Sequence, residues 1–401
     1  MTDESLSIYT LAVLAGCEAP TGGGAPAVPP LTPSVGFIHP TMEATDQALA
    51  DDTAGYIYAR HGGPTQAAFE ETVASLEGAQ AAVGFSSGMA ALHAAILALV
   101  PPGGVIVAAE QLYGATRSLL EWLAASMRVT VHYADFLDLE ATHQVIIQSG
   151  PTVVICEVLT NPLVRVVRVD LIAEMAQSAE AALIVDNTFS TPFLLRPLEM
   201  GADLVVHSTT KFLNGHGDVL GGVVAGRTDL VQVARSHRKL LGAMPGAFES
   251  WLALRGLRTL AVRMSHACFS ARQIAAWLDG QPGVGRVYYP GLEPDEQAHV
   301  AARALFRRNY FGAVMAFQIE GLDREGAFAF VERLKIIRPV TSLGDVNSLI
   351  SHPATSSHRS LSPEERAAQG ITEGTLRLSV GIEDPPDLMA DLNQALGIIR
   401  D

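Results

Sequence analysis

Four short apolar runs are each followed by residues that can do chemistry. Glu110 and Tyr113 follow Val105-Ile106-Val107, and Glu157 and Asn161 follow Val153-Val154-Ile155. Asp186-Asn187 follows Leu183-Ile184-Val185, and Ser208-Thr209-Thr210-Lys211 follows Leu204-Val205-Val206. Ligands of open α/β sheets bind beyond the carboxyl ends of the strands, so polar groups at successive strand ends converge on one crevice. Singly each has a plainer reading: Asp186 as a turn residue or N-cap, Lys211 as a solvated lysine. Ser86-Ser87-Gly88-Met89 adds a helix start, running on to about Leu99, whose free N–H groups and dipole suit a phosphate. A phosphate-binding helix start, an acidic strand end and a strand-end lysine are the parts that hold an aldehyde cofactor as a Schiff base. The carboxylate then sits on the pyridine nitrogen.

These residues need a scaffold. From Glu70 onward helical stretches alternate with near-continuous Val/Ile/Leu runs, the mark of a mainly parallel sheet covered on both faces. Repeated strand–helix order makes this part α/β. Residues 1–50 read instead as an irregular extended arm, broken by Gly22-Gly23-Gly24 and Pro29-Pro30. After about Gly256 a long helical stretch near Leu257–Leu278 and a Gly/Pro-rich loop at Gly280–Pro290 precede alternating strands at Val314–Ile319 and Thr375–Val380. That order predicts a smaller α+β domain. Along Thr375–Val380, Leu376, Leu378 and Val380 share one face and Arg377 and Ser379 the other, so Arg377 reads equally as a solvated arginine or a ligand clamp.

Composition narrows the function classes. The 401 residues carry 27 Lys and Arg against 42 Asp and Glu, a net charge of −15, which argues against nucleic-acid or anionic-membrane partners. Apolar runs such as Ala90–Val100 fall short of the roughly 20 residues a membrane span needs. Three widely spaced cysteines, with no CxxC pair and no HExxH helix, support neither a disulfide framework nor a metal site. With no basic region ahead of an apolar stretch at the N-terminus, the expectation is a cytoplasmic, metal-free protein.

The run His207-Ser208-Thr209-Thr210-Lys211-Phe212-Leu213-Asn214-Gly215-His216-Gly217-Asp218 resembles the lysine signature of the Cys/Met-metabolism PLP enzymes, the cystathionine γ-synthase, cystathionine γ-lyase and methionine γ-lyase family. Gly55–Arg60, Phe85–Met89, Val185–Thr188, Arg255–Leu257 and Arg377–Asp384 match further family motifs in family order. The resemblance implies an aspartate-aminotransferase-like fold of type I: an N-terminal arm over 1–62, a large cofactor domain over 63–256 and a small domain over 257–401. It implies pyridoxal 5'-phosphate bound to Lys211, which also shuttles protons, and Asp186 on the pyridine nitrogen. Tyr113 stacks on the ring and assists the leaving group. Ser87, Gly88, Met89, Ser208 and Thr210 hold the phosphate, while Tyr58 and Arg60 reach it from the neighbouring subunit of a homotetramer built from dimers. Arg377 clamps the α-carboxylate, supported by Asn161 and Ser342.

The chain departs from the family pattern at several points. Gly63-Pro64-Thr65 stands for a usual Asn-Pro-Thr, Leu159 for a usual Pro, and Phe212 for a frequent Tyr. Ala115 stands where methionine γ-lyases resemble one another in having Cys, and Thr341 where cystathionine-handling members commonly carry Glu. Rival readings are a serine hydrolase, on Gly84-Phe85-Ser86-Ser87-Gly88 and His61-Gly62-Gly63, and an inactive paralogue. The 22-position step from Gly62 to Gly84 is too short for the helices and strand a hydrolase needs there. A nicotinamide enzyme fails because Gly215-His216-Gly217 is followed by Leu220 rather than Gly. The expected activity is γ-elimination from a sulfur amino acid, with γ-replacement on an O-acylhomoserine as the alternative; both use the same catalytic residues.

Overall fold

The computed structural model describes residues 6–17, 26–51, 54–292, 296–359 and 361–400. Seven strands form the larger sheet: β1 (Ala81–Phe85), β2 (Val105–Ala109), β3 (Thr130–Ala134), β4 (Val153–Glu157), β5 (Ala182–Asp186), β6 (Leu204–Ser208) and β7 (Gly222–Gly226). Their order is β1-β7-β6-β5-β4-β2-β3, and every pairing is parallel except those of β7. Valine- and isoleucine-rich strands such as β4 and β7 are buried at every position, because helices cover both faces of the sheet.

Five further strands form the second sheet: β8 (Val284–Tyr288), β9 (Val314–Ile319), β10 (Arg338–Pro339), β11 (Leu349–Ser351) and β12 (Thr375–Ser379), in the order β10-β11-β12-β9-β8. β12 lies between β11 and β9, with Arg377 opposite Ser351 and Ala316. All five of its residues are buried. The α/β plan, the mainly parallel sheet and the second, smaller sheet are therefore as the sequence implies.

Three details differ. Residues 1–50 are not wholly irregular: helices span Ile8–Leu14 and Met42–Ala50, while Gly22-Gly23-Gly24 lies outside the described residues. The first helix has no side-chain cap and is held by burying Ile8, Leu11 and Ala12, a tertiary cause that local periodicity does not carry. The stretch near Leu257–Leu278 belongs to two helices, Ala247–Leu257 and Leu260–Asp279, separated at Arg258-Thr259. The polar face expected for Arg377 is not solvated, since the strand is covered on both sides.

Candidate active site

The carboxyl ends of β1, β2, β4, β5 and β6 point to one cavity of about 460 Å³. After β1 the chain enters helix Gly88–Leu99, with Ser87 as N-cap: its hydroxyl accepts a hydrogen bond from the Ala90 N–H at 3.1 Å. The first N–H groups of this helix have no helical acceptor and face the cavity end of β6. A Cβ added at Gly88 would lie 2.8 Å from the Ser208 Cβ, so this close approach requires glycine.

Thr210 closes the same corner. Its hydroxyl accepts from the Gly221 N–H at 3.0 Å, and its Oγ1 lies 3.3 Å from the Gly221 carbonyl. Thr188 ties β5 to β6: its N–H donates to Asp186 Oδ1 at 2.9 Å, and its Oγ1 accepts from the Ser208 N–H at 2.9 Å. Below them Glu77 Oε1 meets His207 Nε2 at 2.5 Å and Asn187 Nδ2 at 2.9 Å, all fully buried, so the strand ends rest on a dry polar network.

Lys211 projects into the cavity and its Nζ donates to Ser342 Oγ at 2.8 Å. Burial, helped by the Arg377 cation, lowers its ammonium pKa to about 8. The turn after it is fixed by a residue the sequence reading does not single out. Arg263 donates to the carbonyls of Phe212 at 2.8 Å, Leu213 at 3.3 Å and Gly256 at 2.8 Å. Nothing in the local pattern of a 20-residue helix marks Arg263 for this task, since its partners are brought to it by tertiary packing.

Two carboxylates meet beside the lysine. Glu157 and Asp186 are directly paired residues of β4 and β5, and both line the cavity. Burial raises the pKa of both, and the Asp186 charge pushes Glu157 further up. Glu157 Oε1 also accepts the Tyr113 N–H at 2.6 Å, which fixes the backbone where Tyr113 enters the site. In the sequence Glu157 is only a strand-end acid without a role; the β4–β5 register is the signal that places it beside Asp186. Glu110, named at the end of β2, lines neighbouring clefts instead.

From the second sheet, Arg377 Nη1 donates to Asn161 Oδ1 at 2.9 Å and its Nη2 to the Ser342 carbonyl at 3.0 Å. Its Nε is buried without a partner among the described residues, so the rigid fork keeps unused N–H donors for a bound group. Burial lowers its pKa to about 10, so it remains a cation at neutral pH. Ser87, Gly88, Met89, Tyr113, Asn161, Asp186, Ser208, Thr210, Lys211 and Arg377 thus line one cavity, with Ser342 joined through Lys211. Tyr58 and Arg60 do not line it within this chain; Arg60 Nη1 donates to the Lys239 carbonyl at 2.9 Å. No histidine lines the cavity among the described residues, and Ser86, the serine of the GxSxG match, does not line it either, so no Ser–His pair of a serine hydrolase forms there.

A helix start for a phosphate, a carboxylate at a strand end, a partly neutral lysine and a buried arginine form a donor set that fits pyridoxal 5'-phosphate and an amino-acid substrate. A family profile for Cys/Met metabolism PLP-dependent enzymes matches residues 9–397. The chain belongs to that family. It is similar to an O-succinylhomoserine sulfhydrylase of Pseudomonas aeruginosa, 37% identical over 99% of this chain and 96% of that protein. To an L-methionine gamma-lyase of Pseudomonas putida it is 38% identical over 96% of each. A solved cystathionine gamma synthase from Xanthomonas oryzae pv. oryzae superposes with a TM-score of 0.90 at 37% identity over 98% of each chain. As a member of this family the protein is a pyridoxal-phosphate enzyme of sulfur amino-acid metabolism, of the lyase or γ-replacement kind. No helix among the described residues is long and apolar enough to cross a membrane.

Proposed function

We propose that the protein catalyses γ-elimination on a sulfur amino acid: the Cγ–S bond breaks, water is consumed, and a thiol, ammonia and a 2-oxo acid leave. The observation that carries this reading is the placement of the partly neutral Lys211 amine beside the Arg377 guanidinium in a cavity walled by Asp186 and Tyr113. When bound, pyridoxal phosphate supplies an electron sink for the electron pair left on the substrate. Lys211 would hold it through Nζ, and the same amine would move protons between substrate carbons. Asp186, held by the Thr188 N–H, keeps a proton on the pyridine nitrogen.

Tyr113 lines the cavity that would take the cofactor ring, and its phenol would serve the departing γ-substituent. The Ser87–Gly88–Met89 helix start, Ser208 and Thr210 receive the phosphate. Arg377, oriented by Asn161 and the Ser342 carbonyl, clamps the α-carboxylate. Tyr58 and Arg60 complete the phosphate site of a neighbouring subunit, in a homotetramer that works in the cytoplasm. In this reading residues 1–62 form the arm, 63–256 the cofactor domain and 257–401 the small domain.

A second reading is γ-replacement on an O-acylhomoserine, in which a thiol is captured in place of water. The similarity to an O-succinylhomoserine sulfhydrylase along nearly the whole chain and an open lobe beside Tyr113 favour it. Product analysis by NMR separates the two. The cofactor-loaded protein receives L-methionine or an O-acylhomoserine, each with and without a competing thiol. A 2-oxo acid that dominates with thiol present supports elimination; a new thioether amino acid formed at its expense supports replacement. Full turnover by Lys211→Ala would sink both.

A further inference from the structure

The catalytic cavity does not end at Tyr113. A second lobe of about 440 Å³ adjoins it, sharing Tyr113, Ser356 and Ser357 with the main cavity and walled beyond them by Ala115, Ser118 and Arg359. We propose that this lobe receives the far end of the substrate's γ-substituent, and that Arg359 there selects substituents ending in a carboxylate. The inference rests on chemistry at the γ-carbon, and holds for elimination and replacement alike.

Three observations support it. Arg359 is exposed at the lobe, and its guanidinium has no hydrogen bond or ion pair among the described residues; only its backbone N–H is used, donating to the Ser356 carbonyl at 3.3 Å. Arg359 is the one charged side chain lining the lobe among the described residues, and no acidic side chain lines it to pair a distal ammonium; Glu110, Glu121 and Glu365 line an adjoining cleft instead. Thr341 in the main cavity supplies no charge for such an ammonium either.

The loop that carries Arg359 lies next to the residues proposed to do the chemistry. The loop that carries it presses on the start of helix Gly114–Met127: a Cβ added at Gly114 would lie 2.8 Å from the Ser357 carbonyl oxygen. Tyr113 immediately precedes that helix, so one tight backbone contact keeps the loop that carries Arg359 beside the group proposed to face the leaving atom. The other walls of the lobe, Ala115 and Ser118, are small and leave room for a chain between the two.

An O-succinyl group and the distal half of cystathionine both end in a carboxylate. Only the second adds an ammonium, for which the lobe has no partner, so the succinyl ester is the better fit. O-acetylhomoserine and methionine lack the group entirely.

The test uses the holoenzyme and its Arg359→Ala and Arg359→Lys variants. kcat/KM is measured for O-succinyl-L-homoserine, L-cystathionine, O-acetyl-L-homoserine and L-methionine at two ionic strengths. The expected result is a fall of about tenfold or more in the O-succinyl over O-acetyl ratio for Arg359→Ala, carried by KM, with partial rescue in Arg359→Lys. Added salt should erode the wild-type ratio more than that of Arg359→Ala. A ratio unchanged by Arg359→Ala overturns the assignment.

Calorimetric binding of the same compounds to Lys211→Ala and to Lys211→Ala/Arg359→Ala gives a reading that needs no turnover. Selective weakening of O-succinyl-L-homoserine supports the role of Arg359; equal weakening of all four compounds, or none, overturns it. If the binding is selective but the wild type turns over none of the four, the γ-carbon reading fails and the Arg359 assignment stands.

Discussion

The lowered pKa of Lys211 makes a quantitative prediction about cofactor capture. An ordinary lysine, at 10.5, is neutral at pH 7 in about 0.03% of molecules, whereas one at about 8 is neutral in about 9%, a gain near 300-fold. Only the neutral amine attacks the cofactor aldehyde, so the capture rate of the apoprotein should track that fraction. The rate of appearance of the cofactor–lysine absorbance, followed by stopped flow across about pH 6–10.5, should rise and level off with an inflection near 8. Arg377→Met keeps much of the bulk and removes the cation. Burial is the larger cause of the shift and Arg377 the smaller, so the inflection should move up without reaching 10.5. Capture at pH 7 should slow accordingly, by well under the full 300-fold. A wild-type inflection at 10 or above, or a variant inflection below that of the wild type, would refute the electrostatic reasoning.

Three further outcomes follow from the geometry. Gly88→Ala should weaken pyridoxal phosphate binding at least about tenfold by equilibrium titration, because its Cβ meets the Ser208 Cβ at 2.8 Å and pushes the helix start away from β6. Arg263→Met should destabilise the protein by roughly 2–4 kcal/mol in denaturant unfolding, since the carbonyls of Phe212, Leu213 and Gly256 lose their donor. Glu157→Gln bears on pH. Glu157 and Asp186 both have raised carboxyl pKa values, so the native state binds more protons than the unfolded chain, and the apoprotein loses stability as pH rises from about 4.5 towards their native values. Relieving this like-charge pair should flatten that loss in urea melts at about pH 5 and 7.5, while the amide oxygen still accepts the Tyr113 N–H; an unchanged slope would show that the pair does not titrate as described.

Much of the site is legible in the chain because the fold repeats a simple rule. Each buried strand ends where the helices that cover it give way, so Asp186, Lys211 and Tyr113 can be read as neighbours from their place after apolar runs. The helix start at Ser87 is equally local, since capping depends on residues three apart. Arg377 shows the limit. Alternation along β12 puts it on a polar face, and only the neighbouring elements turn that face into a buried one where its guanidinium meets Asn161 and the Ser342 carbonyl. Arg263 and the helix Ile8–Leu14 were not legible, because their partners lie far away in sequence.

By itself, then, the sequence determined the α/β plan, the order of the strands along the chain and the family, and it singled out the lysine, the aspartate and the helix start that line one cavity and are proposed to serve one cofactor. The plan and the strand-end residues are set by short-range periodicity and residue types at strand ends, while the family is carried by the resemblance of its ordered motifs. Tertiary structure alone decided that Glu157 stands beside Asp186, that Arg263 fixes the turn after Lys211, and that Arg359 lines a lobe sharing Tyr113, Ser356 and Ser357 with the main cavity. Each depends on sheet register or on loops meeting across the fold, and no local pattern encodes which distant backbone a side chain will reach.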